Sequence, residues 1–210
     1  MLTINKTIAV KWYGHSSVKL EYNSRAIFID PLNVGSEKAD YILITHFHQN
    51  HYSLGDIKKL KKENTIIVTP VDCPAEIPGS VISMKPNTSV TLHKITITAI
   101  PAYNLGGKPY HPRSNNWIGY ILDIDGTRIY HSGDTDDIPE MKKIKNIDLA
   151  LLPVSGRSVM NARKAAEVAN SFKPNIAIPI HWDHDRSLMQ DAAIFKKLFK
   201  GNTFIMKPEN

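Results

Sequence analysis

The chain has 210 residues, a length that suits one larger domain or two small ones, and its 42% apolar and 22% charged content is ordinary for a globular protein with a full core. One cysteine, Cys73, excludes an intrachain disulfide and a cysteine-based zinc knuckle, and points to a reducing compartment. The net charge of +6 favours anionic partners or substrates.

The amino terminus, Met1-Leu2-Thr3-Ile4-Asn5-Lys6, has no secretory apolar region, and no apolar run approaches the ~20 residues needed to span a bilayer, so a cytoplasmic protein without a membrane partner is expected. Runs rich in β-branched residues and bounded by Gly, Pro, Asn or Asp predict strands over 8–13, 17–22, 25–29 and 41–44. A helix follows over 53–62, opened by a serine suited to cap it. Further strands are predicted over 65–69, 81–84, 89–92 and 95–100, then a hairpin of 116–123 and 127–131 turning at Asp125-Gly126. Strands over 149–152 and 176–180 flank a helix over 162–172, and a last helix covers 187–199 with Leu188, Ala192, Phe195, Leu198 and Phe199 at helical spacing. The lysine groups Lys58, Lys59, Lys61, Lys62 and Lys142, Lys143, Lys145 fall on helix-like stretches and read as solvated faces; a nucleic-acid partner is not expected. With no repeat, low-complexity tract or long linker, residues 1–210 read as one α/β domain of sheets covered by helices, and a homo-oligomer is compatible with the sequence.

The chemistry concentrates at strand ends. Thr45-His46-Phe47-His48-Gln49-Asn50-His51 follows an apolar run, and the His-x-His step sends two imidazoles to one side because strand side chains alternate. Neutral imidazole is the commonest zinc ligand, and a short His-rich tract at a strand end is a metal signal. Tyr130-His131-Ser132-Gly133-Asp134 ends the hairpin, with a glycine that turns the chain and presents Asp134, whose carboxylate could offset a divalent charge or close an Asp turn on its own backbone. Ile178-Pro179-Ile180-His181 ends a buried strand in a histidine.

The string His46-x-His48-x-Asn50-His51, then Gly133-Asp134-Thr135, then His181, resembles the metallo-β-lactamase-fold hydrolases. Trp12-Tyr13-Gly14-His15-Ser16-Ser17 and Ile29-Asp30-Pro31 narrow the resemblance to the branch with the ascorbate-phosphate lactonase-like proteins. It runs from about residue 8 to residue 182 and implies a four-layer αββα sandwich, α/β (α+β), with one or two metals at one edge of the sheets. Position by position it implies His46 and His48 on a first metal, His51 and His181 on a second, and Asp134 bridging. The remaining first-metal histidine should fall near Ala102-Tyr103-Asn104, which offers Asn104; His111 on the same loop is the choice made here. His15, Asp30 and His131 match positions that support the ligands or touch substrate. Arg113, Arg157, Lys108, Tyr110 and Trp182 lie on flanking segments where they could hold an anionic small molecule.

One position departs from the pattern: Asn50 stands where the family has an aspartate that supports the second metal and orients the attacking hydroxide. Loss of that charge is expected to weaken the second ion by at least ~10–100-fold, and leaves open a disabled variant, a one-metal enzyme and a natural non-catalytic relative. The expected reaction is hydrolysis of an ester, lactone or phosphodiester, with zinc first and manganese or iron behind it, the ion lowering the pKa of water towards about 7. Di-iron oxygen-reducing members carry a glutamate where this chain has His48, and nucleases carry added domains that the length leaves little room for. A small phosphodiesterase and a non-catalytic ligand- or metal-binding relative remain as alternatives.

Overall fold

The computed structural model describes residues 1–72, 74, 76–183 and 189–209, in two compact units, Met1–Met84 with Met206–Asn210 and Lys85–Ile205. Cys73, on which the redox expectation rests, and Ser187 and Leu188 of the last predicted helix lie outside the described residues.

The first unit is a seven-stranded sheet: β1 (Leu2–Ile4), β2 (Ile8–Trp12), β3 (Val18–Tyr22), β4 (Arg25–Ile29), β5 (Tyr41–Leu43), β6 (Ile66–Pro70) and β7 (Ser80–Met84), in that spatial order. β1 to β4 pair antiparallel and β4 to β7 parallel. The register sets Ile29 of β4 against Leu43 of β5, so the residues that follow these two strands emerge side by side. Helix α1 (Leu54–Leu60) is capped by Ser53, whose hydroxyl accepts from the Asp56 amide. Ile57 and Leu60 of α1 bury against Phe28, Ile42 and Ile67, each such side chain adding about 1.5–3 kcal/mol.

The second unit is another seven-stranded sheet, built from β8 (Ser89–Leu92), β9 (Ile95–Pro101), β10 (Ile118–Ile124), β11 (Thr127–His131), β12 (Leu149–Pro153), β13 (Ile176–Ile180) and β14 (Asn202–Thr203), in sequential order across the sheet. β8 to β11 pair antiparallel; β11 to β14 pair parallel. Parallel pairing aligns His131 with Leu151 and Pro153 with Ile180, which gathers the C-terminal ends of β11, β12 and β13 at one edge. Asp125 and Gly126, both with positive φ (51° and 80°), make the tight exposed turn between β10 and β11. Helix α2 (Ala162–Phe172) is capped by Asn161 and turns its buried Ala162, Ala165, Ala166, Val168, Ala169 and Phe172 stripe inward. Helix α3 (Met189–Leu198) buries Ala192 and Phe195.

The fold class expected from the sequence stands: mixed α/β with two sheets. The predicted strands and helices lie within a residue or two of those formed. The hairpin's first strand starts at Ile118 rather than 116 because Asn116, at φ 54°, ends a 3-10 turn over Arg113–Asn115 in the left-handed region. β1 and β14, three and two residues long, were not anticipated; segments this short carry no alternation to detect. Among the described residues no helix is long and apolar enough to cross a membrane.

Candidate metal centre

In the first unit, the chain leaving β4 and β5 brings together Asp30, Thr45, His46, His48, Asn50 and His51. The Asp30 carboxylate accepts from the Thr45 amide (2.8 Å), from the Thr45 hydroxyl (2.7 Å) and from His51 Nδ1 (2.8 Å). Thr45 spends its hydroxyl proton on Asp30, so its oxygen accepts from His46 Nδ1 at 2.9 Å. One buried carboxylate thus fixes the tautomer of two histidines, directly and through a threonine. With Nδ1 protonated, each neutral ring presents an unprotonated Nε2. His46 Nε2 lies 3.1 Å from His48 Nδ1, and the Asp30, His46 and His51 ligand atoms all fall within 4.8 Å of one another. The amides of His51 and Tyr52 both bond the His48 carbonyl (2.9 Å each), and this turn carries His51 back toward the strand ends.

His15 enters from the turn between β2 and β3, held by the Trp12 indole donating to its carbonyl (3.0 Å) and by Ser17 N bonding Gly14 O (2.9 Å). Its Nε2 lies 3.1 Å from His51 Nε2 and 2.7 Å from Asn50 Nδ2. His15, Asp30 and, in the second unit, His181 hold φ of 49°, 47° and 59°, backbone that costs side-chain-bearing residues of order 1–3 kcal/mol and clusters at working sites.

In the second unit, Asp134 stands between two imidazoles. Its Oδ2 is 3.1 Å from His181 Nε2 and 3.3 Å from His111 Nε2, all three residues being buried. His111 Nδ1 faces two acceptors, Asn104 Oδ1 and the Ser158 carbonyl, each at 3.1 Å, and therefore carries the proton. His181 Nδ1 bonds Ser155 Oγ at 3.1 Å. Between the two loop residues weighed from sequence, His111 faces Asp134 and Asn104 stands behind it, also bonding the His111 amide at 3.0 Å. His131, fully buried, accepts from the Gly133 amide at 3.2 Å, bracing the turn that presents Asp134.

Two proposed substrate cations have partners within the second unit. Lys108 donates to Asp136 (2.6 Å) and to the Val159 carbonyl (3.2 Å), and Arg113 reaches Glu140 (3.3 Å) while lying 4.9 Å over the Tyr103 ring. Sequence reasoning missed Thr45, Asp136, Ser155 and Ser158. Asp136 holds the His111 loop from behind by accepting from the Leu105 amide (2.8 Å), Asn104 and Lys108. The one available signal was its place in Gly133-Asp134-Thr135-Asp136.

The profile of the beta-lactamase superfamily domain matches residues 9–181. A UPF0173 metal-dependent hydrolase of Thermococcus kodakarensis is 32% identical over 96% of this chain and 97% of its own length. The crystal structure of a candidate metal-dependent hydrolase from Parabacteroides distasonis superposes with a TM-score of 0.86 at 33% identity, covering 96% of this chain and 94% of that one. A metallo-beta-lactamase fold protein of Bacillus subtilis, only 15% identical, shares the fold alone, with a TM-score of 0.74 over 97% of this chain and 96% of its own. The chain belongs to the beta-lactamase superfamily and to its UPF0173 relatives' group.

Proposed function

We propose that the chain is a metal-dependent hydrolase acting on an anionic small molecule through an ester, lactone or phosphodiester bond, with residues 1–210 working as one domain. The observation that carries this reading is the Asp134 pair. His111 Nδ1 donates to its two carbonyl acceptors, and its Nε2 faces a carboxylate oxygen of Asp134 3.3 Å away. An imidazole nitrogen and a carboxylate oxygen at that distance are spaced to share a cation. The donors fit one: two ligands on zinc at 2.0–2.1 Å stand about 2.9–3.4 Å apart, and His46 Nε2 and His48 Nδ1 are 3.1 Å apart. Metal-dependent hydrolases among the relatives support the same reading.

On the family pattern, His46, His48 and His111 would hold one ion and His51 and His181 a second, with Asp134 serving both. An imidazole-rich set with one carboxylate suits zinc first, with manganese or iron next. A bound divalent ion supplies Lewis acidity, which makes hydroxide available near neutral pH and polarises the scissile group. The protein's own part is orientation. Asp30, Thr45, Asn104, Ser155 and Ser158 hold the imidazoles by their far nitrogens, so the donor atoms need no rearrangement to bind. The net charge of +6 suits a small anionic substrate.

A panel of lactone, ester and phosphodiester substrates, run with metal-free protein and added zinc, manganese or iron, tests the reading. Turnover that appears with metal and vanishes with chelator is expected, and Asn50→Asp should raise it by on the order of a hundredfold. Equal turnover and equal metal content in the two forms would defeat the role given to Asn50. Metal uptake without turnover in either form would favour the second reading, a binding protein of the same fold. Its supporting observation is that Asn50 supplies an amide to His15 rather than a carboxylate.

A further inference from the structure

We propose that His15 is itself a metal ligand, sharing an ion with His51 and supplying through its Nε2 a donor beside the position where Asn50 has removed a charge. The inference rests on the metal-dependent reading above and extends it to a residue outside the His-x-His-x-Asn-His tract. Three observations within the first unit carry it.

The first is a count of protons. His51 Nδ1 donates to Asp30 at 2.8 Å, so the Nε2 of the neutral ring has only its lone pair to offer. His15 Nε2 lies 2.7 Å from the Asn50 amide nitrogen, which can only donate, so His15 Nε2 is an acceptor as well. The two Nε2 atoms stand 3.1 Å apart, and a shared cation would take the one lone pair each has to give, replacing the bond from Asn50 to His15. The second is distance. Two imidazole nitrogens bound to one zinc ion at 2.0–2.1 Å stand about 3.3–3.4 Å apart in tetrahedral geometry and about 2.9 Å apart at adjacent octahedral positions, and 3.1 Å falls between. His46 and His48 show the same 3.1 Å spacing. The third is backbone. His15 is buried to 2% exposure at φ 49°, and the Trp12 indole bonded to its carbonyl keeps it there. The turn between β2 and β3, with Gly14 also at positive φ, sets that conformation and holds the ring beside Asn50 and His51.

His15→Asn removes the imidazole while keeping a residue that tolerates the left-handed backbone. Metal content by mass spectrometry, zinc affinity by calorimetry and the visible spectrum of the cobalt-loaded protein are compared with the unsubstituted chain. Expected are an affinity for one ion lowered at least ~10–100-fold, the loss at least matching that of a residue that merely orients a ligand, and a changed cobalt spectrum from the altered donor set. Unchanged affinity and spectrum would overturn the inference while leaving the hydrolase reading in place. An unsubstituted chain that takes up no ion overturns both. A second measurement needs no variant: in 15N-labelled protein, zinc should move the His15 Nε2 resonance to that of a metal-bound, unprotonated nitrogen. An Nε2 that stays protonated with zinc present means that the Asn50 amide presents its oxygen to His15, and sinks the proposal.

Discussion

Asp30 orients two of the histidines proposed as metal donors in the first unit. Its carboxylate accepts three bonds, and two of them end on histidine tautomers, His51 directly and His46 by way of Thr45. Asp30→Asn puts an amide donor where an acceptor is needed, so at least one imidazole must turn its proton inward or lose its bond. Zinc affinity is expected to fall ~10–100-fold with the far-ultraviolet circular dichroism unchanged, measured by competition with a chromophoric chelator. Retained affinity would mean that packing alone orients the rings. From sequence the histidines were legible, because His46 and His48 advertise themselves by spacing. The relay through Thr45 was not, since Asp30 and Thr45 lie fifteen positions apart and meet only through the register of β4 and β5. The choice of His111 over Asn104 was open for the same reason. Both sit on one loop, and which one turns toward Asp134 is decided by Ser158 and Asp136, remote in sequence.

At the level of elements, α1 follows His51 by only two residues, so its cap also anchors the histidine loop. Ser53 does this twice, accepting from the Asp56 amide at 3.3 Å and donating to the Asp56 carboxylate at 2.7 Å. Ser53→Ala should lower stability by about 0.5–2 kcal/mol, seen as a lower urea midpoint at constant slope. A changed slope would instead indicate a rearranged folded or unfolded state. Nearly all of the strands and helices were readable from β-branched runs, capping residues and the 3.6-residue stripe of α2. What escaped was pairing order: which strands run parallel depends on crossovers, and no local pattern states it. The short edge strands β1 and β14 owe their conformation to neighbours rather than to their own side chains.

For the whole molecule, the acid limb of the stability profile should be governed by carboxylates bound to lysines. Lys19, on β3 with only 3% of its side chain exposed, is paired to both Glu21 and Glu37, and Tyr13 donates to Glu37 at 2.7 Å. The hydrogen bond from Lys19 holds Glu21 below its ordinary 4.5; for Glu37, burial pushes upward, but Lys19 and Tyr13 outweigh it and the result is again low. Asp40 and Asp56 are likewise held below 3.8, burial being outweighed by bonds from Lys62 and the Ala26 amide, and from Ser53, Lys59 and the Asn33 amide. A depressed carboxylate stabilises the fold above its unfolded pKa and ceases to as pH falls through the folded one. Stability from these groups is therefore complete above about pH 4.5 and declines below it. Urea midpoints measured from pH 3 to 7 should show that fall. Lys19→Met should make that fall shallower, because Glu21 and Glu37 lose the partner that lowers their folded pKa, and an unchanged fall would place the acid sensitivity elsewhere.

The turn at Asp125-Gly126 lies beyond the opposite extreme of β11 from His131, Gly126 being five residues and about 17 Å away along the strand. Every histidine and aspartate named as a donor in that unit follows the other extreme or lies on the loop beside it. A fluorophore attachment site or an epitope spliced into this hairpin tip would ride on the protein without approaching the side chains proposed to hold the cation, giving a handle for immobilised or single-molecule work.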